Sequence, residues 1–259
     1  MPKIIHKNWE PIIGHLFDDE RYEIIRRVVH DNLYIDTKGR RVFNLCPTVA
    51  NIYRVFQMNP YDIRVVILGL SPYWTYHNKK RTAIGRAFAI PNEDHMTPSM
   101  SMILDALAYY SSDLVFESNY NFDYTLEHWE NQGIMLLNRY LTSIVHQSDS
   151  TVHKNVWDWF TKGVINGMSQ HLSAIVFNLW GNDAKEVKGF IDENKHYIVE
   201  ACHPQATNYA LRKYGMSHKI PTKLNFIKQN PFKTIDDILY KLNGEKINWY
   251  EEVLHNQSH

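Results

Sequence analysis

Four short apolar runs in this 259-residue chain each end on residues with chemistry to offer. Residues 64–70 (RVVILGL) lead into Ser71, Pro72, Tyr73 and Trp74, residues 133–137 (GIMLL) into Asn138, residues 174–180 (AIVFNLW) into Gly181 and Asn182, and residues 197–202 (YIVEAC) into His203 and Pro204. Hydroxyl, aromatic, carboxamide and imidazole groups therefore follow one another at the ends of the four runs. Between them they can hold a water, stack on a planar ligand, pair with a donor and an acceptor at once, and steady a developing negative charge. No Gly-rich phosphate loop and no Walker lysine accompanies them, which argues against a nucleoside-triphosphate site.

The elements that must position these groups follow from periodicity. Short apolar runs of five to seven residues are of the type that buried strands carry. Between and around them, helical patterning covers residues 19–32, 48–58, 99–110, 126–132, 155–170 and 183–194, with a last helix at 222–229 before a polar tail. Strand and helix alternate, which predicts an α/β fold: a single three-layer domain whose central, mostly parallel four-stranded sheet is flanked by helices. The expected domain spans 1–259, with 1–60 an N-terminal helical region packed on it. Sheets of this kind bind ligands at the carboxyl ends of their strands, where the polar groups collect.

Bulk properties set outer limits. Twenty-eight basic residues balance 28 acidic ones, so net charge neither announces nor excludes a nucleic-acid partner. Two cysteines, Cys46 and Cys202, are too few for a disulfide framework and fit a reduced cytoplasmic or nuclear setting. No signal peptide is legible, and no window resembles the run of about 20 apolar residues that a membrane span needs. Metal ligation is not expected: CxxC and HExxH are absent, His146 and His153 are too loosely spaced, and two cysteines cannot hold a four-cysteine cluster. No cofactor is expected.

At the strand ends the chain resembles family 1 uracil-DNA glycosylases, whose motifs run GQDPYH, GLAF, PPS, LLLN and HPSPLS. The same order is kept here as GLSPYW (69–74), GRAF (85–88), TPS (97–99), LLN (136–138) and HPQAT (203–207), with VFNLWG (176–181) and INW (247–249) similar to connecting text of the family. The resemblance implies a protein that extrudes uracil from DNA and hydrolyses its N-glycosidic bond in base excision repair. It implies that Asn138 reads the Watson–Crick edge, with Leu70 beside the base, Phe88 stacking on it and Tyr73 blocking the methyl group of thymine. His203 would bond uracil O2 as negative charge develops, while Pro72, Pro98, Ser99, Pro204 and Thr207 would meet the DNA backbone. Taken singly, each has a plain structural use: a turn asparagine, core aromatics, a structural histidine, and a helix N-cap for Ser99.

Three departures bear on mechanism. Ser71 replaces the aspartate that orients the attacking water, and loss of one such group costs about 10²–10³ in rate. Trp74 replaces the motif histidine beside that water. Thr207 stands where a leucine wedge enters the base stack and fills less space. Substitute acids to consider are Glu93, Asp94 and Asp149. The first expectation is a DNA glycosylase of reduced or altered activity on single- or double-stranded uracil-containing DNA. The alternatives are a catalytically silent binder of uracil-containing or single-stranded DNA in a replication or transcription assembly, and a glycosylase for another base. A protein inhibitor or a replication or transcription partner belongs to this reading, and a membrane does not.

Overall fold

The structure is a computed structural model and describes residues 1–35, 41–77, 80–110, 122–149, 151–215 and 219–250. Each apolar run is a strand: β1 (Val65–Gly69), β2 (Ile134–Asn138), β3 (Val176–Trp180) and β4 (Tyr197–Ala201). They form one sheet in the order β4-β3-β1-β2 with all neighbours parallel. Six helices account for most of its cover: α1 (Glu10–Asp18), α2 (Tyr22–Asp31), α3 (Pro98–Tyr110), α4 (Lys154–His171), α5 (Pro204–Tyr214) and α6 (Pro231–Asn243).

Alternation along the strands splits the core into two layers. Val66, Leu68, Met135, Leu137, Phe177 and Leu179 face α1, α2 and α4, where Ile12, Ile13, Trp157, Phe160 and Val164 meet them. Val65, Ile67, Ile134, Leu136, Val176 and Trp180 face α3 and α6, where Met100, Ile103, Phe232, Ile235 and Leu239 close the other side. β1, β2 and β3 are buried along their whole length, so both faces need an apolar partner and the runs cannot alternate with polar residues. Among the described residues no helix is long and apolar enough to cross a membrane.

Several helical expectations need correction. Residues 48–58 form two 3-10 turns, Val49–Asn51 and Arg54–Gln57, because Val49, Ile52, Tyr53 and Val55 are poor helix formers and Tyr53 leaves the helical region. Residues 183–194 hold only the turn Asn182–Lys185 and the 3-10 turn Lys188–Phe190, with Gly189 interrupting the pattern. Residues 222–229 divide into Thr222–Leu224 and Phe226–Gln229. The expected polar tail begins instead with α6, which buries Phe232, Ile235 and Leu239; its last residues, 251–259, lie outside the described residues. α1, α5 and α6 each start with proline in the first turn, a start signal that outweighs the break a proline makes elsewhere.

One strand position breaks the apolar rule. Asn178 is fully buried in β3 between Ile67 and Val199, and neither its carboxamide nitrogen nor its oxygen has a partner among the described residues. An unpaired buried amide costs about 1–3 kcal/mol. Asn178→Leu is therefore expected to stabilise the fold by a similar amount, read as a higher urea midpoint with an unchanged m-value. A lower midpoint would show that the amide has a partner in solution.

Candidate active site

The carboxyl ends of the four strands open into a cleft of about 650 Å³. Leu70, Ser71, Pro72, Tyr73 and Trp74 line it from β1, Phe88 from the following loop, Asn138 from β2, Trp180 to Asp183 from β3, and His203 from β4. The sequence motifs thus converge in space, although Ser71 and His203 are 132 positions apart in the chain (203 − 71).

A missing side chain brings the central pair together. Gly69 lies opposite Asn138 in the ladder, and a Cβ on Gly69 would sit 2.8 Å from Asn138 Oδ1, 3.0 Å from Ala87 Cβ and 3.3 Å from the Phe88 ring. Backbone bonds from Arg139 N to Gly69 O (2.9 Å) and Tyr140 N to Leu70 O (2.8 Å) continue the ladder beyond the strand ends and fix the two loops against each other. Asn138 is only 7% exposed, yet no protein group among the described residues bonds its carboxamide. A buried amide with both ends free, opening into a cleft, has the chemistry to pair with a planar edge that carries a donor and an acceptor.

Aromatic groups frame that amide. Phe88 sits at φ 65°, a conformation uncommon for a bulky residue, which sets its ring 4.9 Å from Trp180 and 6.0 Å from the His203 ring. Ala87 N donates to Leu136 O at 2.9 Å and ties this loop to the edge strand. The Tyr73 hydroxyl donates to Phe88 O at 3.3 Å and pairs with Thr97 Oγ1 at 2.9 Å, so its ring is held from two sides; burial raises its pKa.

His203 is the N-cap of α5, and its Nδ1 accepts a hydrogen bond from Gln205 N at 3.2 Å. Because Nδ1 is the acceptor, the neutral ring carries its proton on Nε2 and presents a donor. Burial pushes the His203 pKa below its ordinary value, opposed by the Asp183 charge, which favours the neutral ring. The ring can therefore donate to an oxygen that gains negative charge without bringing a competing cation.

The remaining expected residues divide. Ser99 is buried in the first turn of α3, lines the cleft and accepts from Gln205 Nε2 at 3.0 Å, while Thr97 Oγ1 accepts from Met100 N and takes the capping contact. Pro98 lines a smaller adjoining groove of about 310 Å³ with Asn208, Tyr209 and Arg212. Pro204 is buried as the first residue of α5 and does not reach the cleft. Thr207 corrects the expectation of an outward position: it is 2% exposed, and its hydroxyl accepts from Phe226 N at 2.9 Å. Helix α5 begins at Pro204, which turns Thr207 inward where a loop would have left it out. None of the three candidate acids lines the cleft either. Glu93 and Asp94 border a separate pocket, with Asp94 facing His77 at 3.2 Å, and Asp149 accepts from the backbone and hydroxyl of Thr151.

Sequence reading assigned no role to six cleft residues: Ser148, Trp180, Asp183, Gln205, Ala206 and Tyr209. Tyr209 stands 63% exposed on the rim, five residues beyond the start of α5, and the guanidinium of Arg212 lies 5.9 Å from its ring. Asp183 follows Gly181, whose φ of 93° turns the chain after β3 and which abuts His203 so closely that a Cβ would come within 3.1 Å of the His203 Cβ. The Asp183 carbonyl accepts from Arg139, a fully buried guanidinium that also binds Asp158 (2.9 Å from Nε) and Glu186 (2.7 Å from Nη2). A strand-end pattern of apolar-then-polar could point to position 183, but only the buried Arg139 shows that the loop is held in one place.

No family model matches the chain. Among curated relatives, the uracil-DNA glycosylase of Clostridioides difficile (strain 630) is 32% identical over 248 residues, covering 95% of this chain and 96% of that protein. The uracil-DNA glycosylase of Borreliella burgdorferi (strain ZS7) is 32% identical with 95% and 98% covered, and that of Fusobacterium nucleatum 29% identical with 96% and 97% covered. Among solved structures, mimivirus uracil-DNA glycosylase superposes with a TM-score of 0.77 at 21% identity, over 95% of this chain and 87% of that one.

Proposed function

The chain belongs to the uracil-DNA glycosylase family, and from that premise we propose that it extrudes uracil from DNA and hydrolyses the bond between the base and its deoxyribose, as a DNA N-glycosylase serving repair. The observation that carries this reading is Asn138, a carboxamide 7% exposed, without a protein partner among the described residues, at the floor of the cleft. Its amide matches uracil O4 and N3–H together. Phe88 stacks on the extruded ring, and Tyr73, held by Thr97 and the Phe88 carbonyl, stands against C5 so that a methyl group there clashes. The Nε2–H of His203 donates to uracil O2 as the base leaves.

On the water side Ser71 supplies a hydroxyl and no charge, so the reaction is slowed at that position by the loss of one preorganised anion. The groove holding Pro98, Asn208 and Arg212 continues from the cleft and offers a path for the DNA backbone. On the rim Tyr209 has the size and exposure that Thr207 lacks for filling the space an extruded base leaves. A structural neighbour, a mimivirus UNG variant, has been solved in complex with UGI, which supports a protein inhibitor as a partner.

The test is release of uracil from single- and double-stranded oligonucleotides carrying one uracil, read by alkaline cleavage at the abasic product. Asn138→Ala is expected to weaken both uracil-DNA binding and release, with undamaged DNA bound as before. Uracil-selective binding without release at high protein excess would replace the hydrolytic reading with that of a catalytically silent uracil-DNA binding protein, for which the neutral Ser71 is the favouring observation.

A further inference from the structure

We propose that Asp183 supplies the catalytic carboxylate that Ser71 cannot, so that the anionic group on the water side reaches the cleft from the end of β3 and not from the end of β1. The inference rests on the glycosylase reading above.

Asp183 is the only carboxylate among the described residues that line the cleft. It shares that cleft with Ser71 and His203, and its charge acts on the His203 ring. Its backbone is built into the site. The Asp183 carbonyl is clasped by Arg139, which is fully buried and directly follows the base-reading Asn138. Gly181 seats the same loop against His203, 3.1 Å from a would-be Cβ. A carboxylate on a tethered loop is preorganised, the property that makes an anion effective at a site of developing positive charge.

Chemically the group has one place to act. As the C1′–N1 bond breaks, the electron pair leaves with N1 and the deoxyribose ring becomes cationic. The carboxylate offsets that cation and aligns a water, with the Ser71 hydroxyl as a second contact. The water oxygen then bonds C1′, its proton passes to the carboxylate and on to solvent, and the uracil anion held by His203 takes up a proton. Free uracil and an abasic deoxyribose result.

The experiment is single-turnover uracil release by the full chain, with the dissociation constant for uracil-containing DNA measured alongside, for wild type, Asp183→Asn, Ser71→Asp and the double variant. Asp183→Asn keeps the side-chain shape and the backbone clasp. It is expected to lower the release rate about 10²–10³-fold while binding stays within about threefold. In the Ser71→Asp background, where a carboxylate is restored at the other strand end, the same change is expected to cost less than about tenfold. Release that survives Asp183→Asn overturns this proposal alone. So does an equal loss in both backgrounds, or a loss that tracks weakened binding, since each marks a structural role. Wild-type protein that binds uracil-DNA and releases no uracil overturns this proposal together with the hydrolytic reading.

Discussion

Replacing His203 by asparagine should lower uracil release about 10²–10³-fold while leaving the affinity for uracil-containing DNA within a few-fold. Asparagine is the informative choice because His203 also caps α5 through the bond from Gln205 N, and a carboxamide oxygen can keep that cap. A loss of rate with the helix retained then reports the Nε2–H donor alone. The pH profile gives an independent check. Burial lowers the His203 pKa below that of a free imidazole, with the Asp183 charge opposing, so the ring stays neutral as pH falls through about 6.5. Release should hold across that range and decline only at lower pH, when Nδ1 takes a proton and can no longer accept from Gln205. The stability linkage has the same sign: a histidine with a depressed folded pKa binds fewer protons folded than unfolded, so stability is lost as pH falls below the unfolded value. A rate that drops at or above pH 7, or that survives the asparagine change, would remove His203 from the chemistry.

The second large effect concerns stability. Arg139→Met should cost about 2–4 kcal/mol at neutral pH, because it leaves Asp158, Glu186 and the Asp183 carbonyl facing an apolar side chain. The cost lies toward the lower end of what breaking a buried pair costs, since Glu186 is about half exposed and water can reach it. The pKa of Glu186 is lowered by its bond from Arg139, and that of Asp158 is lowered by Lys162 and Arg139 against the effect of burial. Carboxylates with depressed pKa values add stability that is present above their unfolded values and lost as pH falls through the folded ones. The difference between wild type and Arg139→Met, followed by urea denaturation, should accordingly shrink as the pH drops below about 4. A difference that is constant with pH would mean that the guanidinium acts by packing and not by charge.

Much of this was legible in the sequence for identifiable reasons. β1, β2 and β3 bury both faces, and that requirement writes apolar runs; the edge strand β4 leaves Tyr197 and Glu200 exposed and was legible from its remaining apolar residues. The ends of such strands are the one place where a parallel sheet can expose polar groups, so Ser71, Tyr73, Asn138 and His203 declared themselves together. Phe88 was found through its motif and not through periodicity, as its loop conformation leaves no pattern. The misreadings share a cause. Residues 48–58 carry the spacing of a helix but not the residue types that favour one, and α5 and α6 begin at prolines that look like breaks. A motif fixes order and not direction, so it does not tell that α5 rotates Thr207 inward onto Phe226 N and leaves Tyr209 on the rim. Asp183 could not be singled out among 28 acidic residues, since its place depends on the turn at Gly181 and on a guanidinium from another strand end.

Gly69 gives the cleft an unusual genetic exposure. Every single-nucleotide change that replaces a glycine codon by another amino acid adds at least one carbon, and at this position that carbon lands 2.8 Å from Asn138 Oδ1 and 3.3 Å from the Phe88 ring. The site thus depends on a residue that lends it no functional group. One codon change at Gly69 would crowd Asn138 and Phe88 while Ser71, Tyr73 and His203 stayed unchanged in sequence.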